Sequence, residues 1–226
     1  MIAVMRALLL ATLFLTAAVP RTTDIPWAWE RREDLRFLGP GQTVAYYAGM
    51  ITLDGNEVII EPRRNPLFLA PHTHRIAVVR IETHRATLSA AQRALTLDAI
   101  LRLFRNAEEL QIDFDATRTE RAFYRELLIA LRGKTSARLS ITALASWCSD
   151  DRWLNDLPID EAVPMFFRMG RGAPRDVSIR EPRCRGSVGI SVDEPNVRRP
   201  HARRVWIFNP KPWTEAAWKA ASASRG

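Results

Sequence analysis

Residues 110–147 read LQIDFDATRTERAFYRELLIALRGKTSARLSITALASW, a strand-like run, an amphipathic helix and a second strand-like run. Strand, amphipathic helix, strand is the pattern of a parallel β/α crossover. The first run closes on Asp113 and Asp115, the second on Trp147 followed by Cys148. In parallel β/α barrels the chemistry gathers at such strand ends.

The same pattern extends along the chain. Short apolar runs rich in β-branched or aromatic residues occupy 25–31, 44–53, 76–82, 110–115, 139–147, 163–169, 188–193 and 205–208. Near-continuous apolarity suits strands buried on both faces. Ser89 with Gln92 forms a capping box ahead of the stripe Leu97, Ile100, Leu101 and Phe104. Thr117 with Glu120 reads as a second box, ahead of Phe123, Leu127, Ala130 and Leu131, with Gly133 placed as the stop. A third helix is expected over 214–222. Asp54-Gly55 signals a turn within a possible hairpin over 54–71, and 151–157 has room for one or two helical turns. Pro/Arg-rich loops fill 171–185 and 196–204. Eight strands with helices on several crossovers predict an α/β fold, a compact (β/α)8 TIM-like barrel with several helices shortened or missing. An open α/β sheet is the alternative.

Strand alternation sorts the side chains. Ile112 and Phe114 share one face of their run, while Gln111, Asp113 and Asp115 share the other; the polar set is expected in the barrel lumen. The same parity pairs Arg80 with Glu82. Arg168 ends the sixth run, Asp193 and Glu194 the seventh, and Glu30 the first, beside Trp27 and Trp29. In barrel order these ends converge on one mouth. Its candidate catalytic acids are Glu82, Asp113, Asp115, Asp193 and Glu194; its candidate ligand contacts are Trp29, Glu30, Arg80, Trp147 and Arg168. Paired carboxylates beside aromatic faces suit glycoside chemistry, in which one acid protonates the leaving oxygen. A purely structural arginine–carboxylate network would use the same residue types, since an unpaired buried charge is costly.

Composition removes other classes. The net charge is +8, carried almost wholly by arginine, since Lys134, Lys211 and Lys219 are the only lysines. The arginines are dispersed, with no basic helix or aromatic–basic ladder, so no nucleic-acid partner is expected. His72, His74, His84 and His201 stand in polar loops without metal-ligand spacing, and no phosphate loop or serine elbow appears, so neither metal nor cofactor is expected. Arg6 followed by an apolar run over 7–19 reads as an export signal over 1–20, too short for a membrane span of ~20 apolar residues. Pro20 near the cleavage point leaves an uncleaved anchor as the alternative. One domain over 24–213 follows, then a C-terminal helix and tail over 214–226. A periplasmic or secreted location makes Cys148 and Cys184 a disulfide candidate.

The segments QIDFDATRTERAFYRELLIALR, LSITALASWC, VPMFFRMG and VGISVDEP, with the W-x-W-E-R start at Trp27 to Arg31, resemble an uncharacterised bacterial family known as domain of unknown function 3142. More distantly, Asp113 and Asp115 resemble the two aspartates of the D-x-D-x-E strand of chitinase-like glycoside hydrolases. That likeness implies a barrel acting on a saccharide of the envelope or the cell exterior; a non-catalytic carbohydrate-binding or envelope-interaction protein is the alternative. The glutamate that serves those enzymes as acid is replaced here by Thr117, with Glu120 three residues on. Another acid, such as Glu82, Asp193 or Glu194, would have to take its role.

Overall fold

The computed structural model describes residues 22–149, 151–168, 178–194 and 202–223. The expected export signal, the first half of the 171–185 loop and most of the 196–204 loop lie outside them. Eight parallel strands form a closed ring: β1 (Thr23–Ala28), β3 (Thr43–Asp54), β6 (His74–His84), β7 (Glu109–Asp113), β8 (Arg138–Leu144), β9 (Glu161–Met165), β10 (Ser187–Ser191) and β11 (Arg204–Phe208). Strand β1 pairs with both β11 and β3, and so shuts the barrel. All eight sequence-expected strands are present, in order and parallel. The open-sheet alternative is excluded.

The helical layer is reduced. Helices α1 (Ala90–Phe104) and α2 (Arg121–Arg132) cover β6 to β8, α3 (Ala145–Ser149) is a short turn after β8, and α4 (Glu215–Ala223) follows the last strand. Short β2 (Glu33–Asp34) and β5 (Leu67–Phe68) pair with each other outside the barrel. Strand β4 (Glu57–Pro62) folds back antiparallel on β3 through the Asp54-Gly55 turn, where Gly55 takes φ +53°. The β3–β6 register shifts between Tyr47 and Gly49. A side chain at Gly49 would start 2.8 Å from the Glu61 carbonyl oxygen, so this crossing needs glycine. Among the described residues no helix is long and apolar enough to cross a membrane.

The expected capping box at Ser89 forms, with both of its hydrogen bonds. The one expected at Thr117 does not. Helix α2 begins at Arg121, and the Glu120 carboxylate accepts from both the Thr117 amide and the Thr117 hydroxyl, at 2.6 Å each. Threonine and glutamate thus close a turn before the helix instead of capping its first N–H groups. Gly133 caps α2 as expected but with right-handed φ −69°, so its conformational freedom is not used.

Alternation partitions the core as expected. Ile25, Ala45, Ile76, Val78, Val163 and Trp206 fill the lumen, while Leu110, Ile112, Leu139 and Ile141 face α1 and α2. Gly189 leaves the lumen space for Met165, whose Sδ would lie 2.5 Å from an added Cβ. At the N-terminal end of the lumen, charges that begin their strands form a network. Glu109 meets His74 and Arg204 at 2.8 Å each, and Glu161 meets Arg138 at 3.1 Å and Arg204 at 2.5 Å while accepting from the Ser187 hydroxyl.

The seam between β1 and β3 is held by Arg63, which donates to Trp29 O at 2.7 Å, to Arg31 O at 2.5 Å and, at 3.4 Å, to Ala28 O and Tyr47 O. Burial lowers its pKa, partly offset by Glu30 and Glu33. Arg63→Met, which keeps most of the side-chain volume, is expected to cost about 3 kcal/mol, because buried carbonyls lose a charged donor; urea denaturation measures it. Cys148 and Cys184 form the expected disulfide, with Cα atoms 5.9 Å apart, joining α3 to the turn before β10. Its removal by Cys148→Ala/Cys184→Ala is expected to cost about 2–4 kcal/mol. A melt of the double variant beside the oxidised and reduced parent reads this directly.

Candidate functional site

The C-terminal strand ends carry a polar side and an aromatic side. On the polar side Arg80 (β6) donates to Glu82 Oε1 at 2.8 Å and to Asp113 Oδ2 at 2.9 Å, and Thr142 (β8) donates to Asp113 Oδ1 at 2.7 Å. Burial opposes the Arg80 charge, but Asp113 and Glu82 outweigh it and raise its pKa. Gln111 lies in the lumen below, fully buried. Asp115, just past the end of β7, is exposed at the rim and has no hydrogen bond or ion pair among the described residues. Crowding by the surrounding walls and the nearby Asp113 carboxylate raise its pKa, with Arg80 opposing.

The aromatic side lies across the ring, since β11 stands four strands from β7. Phe208 (β11) stacks parallel on Phe167 with centroids 5.5 Å apart and meets Trp27 and Trp29 edge-on, each at 6.2 Å. Trp29 in turn lies 5.1 Å from Tyr47. Burial, then Glu30 and Glu61, push the Tyr47 phenol up to about 12. Trp29, Phe167 and Phe208 are half-buried, so part of this surface is open.

The remaining expected residues fall as follows. Glu30 Oε1 accepts from Arg64 N, Asn65 N and Asn65 Nδ2. These bonds and Arg63 outweigh burial and lower its pKa. Arg168 has φ +52°, lays its guanidinium 5.4 Å over the Phe208 ring, and donates its backbone N–H to Glu194 at 3.1 Å. Asp193 accepts from the Ser191 hydroxyl. Trp147 is not at the lumen: β8 ends at Leu144, and the turn into α3 carries Trp147 into the outer layer, buried 4.8 Å from Trp153. The continued strand alternation fails because the backbone becomes helical at Ala145.

Glu120, three residues past the position where a chitinase-like acid would stand, is unsuited to donate a proton. Besides Thr117, the Thr83 hydroxyl donates to it, and these bonds outweigh burial and lower its pKa. Sequence reading missed Thr142, Tyr47, Phe167 and Phe208 as members of the mouth. Thr142 was reachable, because Ser140 and Thr142 are the polar alternates of the run LSITAL. No family model, curated protein or solved structure matches the chain.

The two aspartates should respond differently to substitution. Asp113→Asn removes a buried partner of Arg80 and should cost about 3–5 kcal/mol. Asp115→Asn should leave stability within about 1 kcal/mol, because solvent screens a rim charge. The sign follows from linkage: a carboxyl with a raised native pKa favours the protonated native state. Asp115→Asn should therefore be slightly stabilising at neutral pH, and the difference should vanish as pH falls below the unfolded value. Denaturation of both variants at neutral and acidic pH tests both signs.

Proposed function

We propose that this barrel acts on saccharide, with Asp115 as the proton donor to a glycosidic oxygen at the mouth. One observation carries the reading. Glu30, Glu82, Asp113, Asp193 and Glu194 each accept hydrogen bonds within the protein, whereas Asp115 is free, at the rim, with its pKa raised. A general acid needs that combination of access and retained proton. Burial and then Asp113, fixed by Arg80 and Thr142, raise the Asp115 pKa, and Asp113 lends negative charge to an oxocarbenium-like transition state. The aromatic side offers ring faces to sugar rings. Attack on the anomeric carbon falls to water or to a neighbouring group of the substrate.

A saccharide-binding protein without turnover is the second reading, favoured by the complete pairing of Arg80 with Asp113 and Glu82. The resemblance to chitinase-like barrels and the expected export point both readings towards envelope or extracellular glycan.

Reducing-end release from a panel of chitin, glucan and peptidoglycan-derived oligomers separates them. The enzyme reading expects turnover that declines as pH rises through the Asp115 pKa, and a loss of about 10²–10⁴-fold in Asp115→Asn with glycan binding intact. Binding without Asp115-dependent release, in a panel that includes the tightest ligand, would leave the second reading standing.

A further inference from the structure

A groove of about 610 Å³, whose lining begins one residue past Asp115 in the chain, lies between the loop after β7 and the start of α3. Ala116 and Thr117 begin its wall; Arg118, Arg121 and Arg152 supply its cations; Asp151 is its lining carboxylate. Arg121 spends Nη2 on Asp151 at 2.6 Å, while Arg118 and Arg152 are exposed and have no ion pair among the described residues. Among the described residues the groove lining therefore carries a surplus of positive charge.

A second observation concerns donors. The Arg121 guanidinium lies 5.2 Å over the Trp153 ring, and that ring lies 5.7 Å from Tyr124. Of this cluster Arg121 lines the groove, and its Nε is buried without a hydrogen-bond partner among the described residues. A guanidinium N–H can only donate. Buried donors without acceptors are uncommon in folded proteins. Donors beside unpaired guanidiniums suit an acceptor-rich, negatively charged group, which arginine grips through paired N–H bonds.

We propose that this groove is a subsite for an anionic substituent, carboxylate or sulfate, on the saccharide that reaches Asp115. The inference rests on the saccharide reading and adds its substrate class: an acidic glycan rather than a neutral one. The exposed residue two past Asp115 is Thr117 rather than an acid, so that wall does not repel an anion. With +8 overall, the chain attracts any polyanion weakly, so the test must separate the groove from the general field.

Calorimetric binding to the oxidised full chain would use three probes of equal length: hexagalacturonate, a sulfated dextran hexamer and neutral chitohexaose. Two variants remove the same charge from different places. Arg118→Ala/Arg152→Ala empties the groove of its unpaired cations, and Arg102→Ala/Arg105→Ala does so at the exposed end of α1. Circular dichroism confirms that both fold. One of the acidic hexamers is expected to bind at least about tenfold more tightly than the neutral one. The groove variant should lose about tenfold or more of that affinity, and the α1 variant should stay near the parent. Which acidic hexamer wins distinguishes carboxylate from sulfate. Equal losses in both variants, or no preference for either acidic hexamer, would overturn the subsite. Chitohexaose turnover dependent on Asp115 beside that negative result would leave the saccharide reading intact; groove-dependent acidic binding with no turnover of any of the three hexamers would keep the subsite and favour saccharide binding without turnover.

Discussion

Closure of the barrel depends on a short seam, and a single guanidinium spans it. Strand β1 pairs with β11 over five registered residues but meets β3 at only two, Trp27 with Ala45 and Ala28 with Tyr46. Just above this contact the β1 chain leaves the sheet, and its carbonyls would face a half-buried wall unpaired. Arg63, delivered by the return strand β4, donates to three of them and to Tyr47 O on the other side. Trp213 adds a bond from its indole to Trp27 O. The hairpin that looks like an appendage is therefore what completes the ring. Through it, Trp29 and Tyr47 gain their fixed positions at the mouth.

The lumen separates two charged layers by an apolar one, and the two layers are built to different standards. At the N-terminal end, Glu161 is nearly fully buried and is met by two guanidiniums and a hydroxyl. Partners at this density are what make buried charge tolerable. At the C-terminal end the same logic serves Asp113 through Arg80 and Thr142, but stops at Asp115. Solvent can compensate a rim carboxylate, so leaving it free costs little. Among the described residues of the two layers, only Asp115 combines access with an acid that no partner meets.

The strands were legible because burial on both faces forces continuous apolar runs, and all eight runs survive folding. Lumen parity was legible for Asp113, Arg80 and Glu82 because side chains alternate along a regular strand, whereas Asp115 lies two residues past β7. Parity misled at Trp147, where ASWCS turns helical one residue past the strand. The capping-box pattern misled at the Thr117–Glu120 pair, whose residue types fit a cap but whose spacing to Arg121 fits a preceding turn. The lower network was hidden for another reason. Glu109, Arg138, Glu161 and Arg204 each begin a strand, and a charge at a strand start reads as solvated until the ring brings the four ends together. Arg63 was invisible in the same way, because its acceptors are backbone atoms far along the chain.

The disulfide joins these threads. Cys148 sits between Trp147 and Ser149, both of which line the arginine-rich groove, and its carbonyl accepts from Arg180 N at 2.8 Å and Glu181 N at 3.1 Å. The bond to Cys184 adds a covalent tie at the same point. A five-residue helix has too few internal hydrogen bonds to hold itself, since helix nucleation is costly. Anchored this way, α3 fixes Trp147, and the Trp147 and Trp153 rings then hold Arg121 by their faces, at 5.8 Å and 5.2 Å. A cation held by aromatic faces on two sides loses little further freedom when it meets an anion. The oxidised cysteines thus do more than stabilise the chain: they fix the turn that sets Trp147 against Arg121.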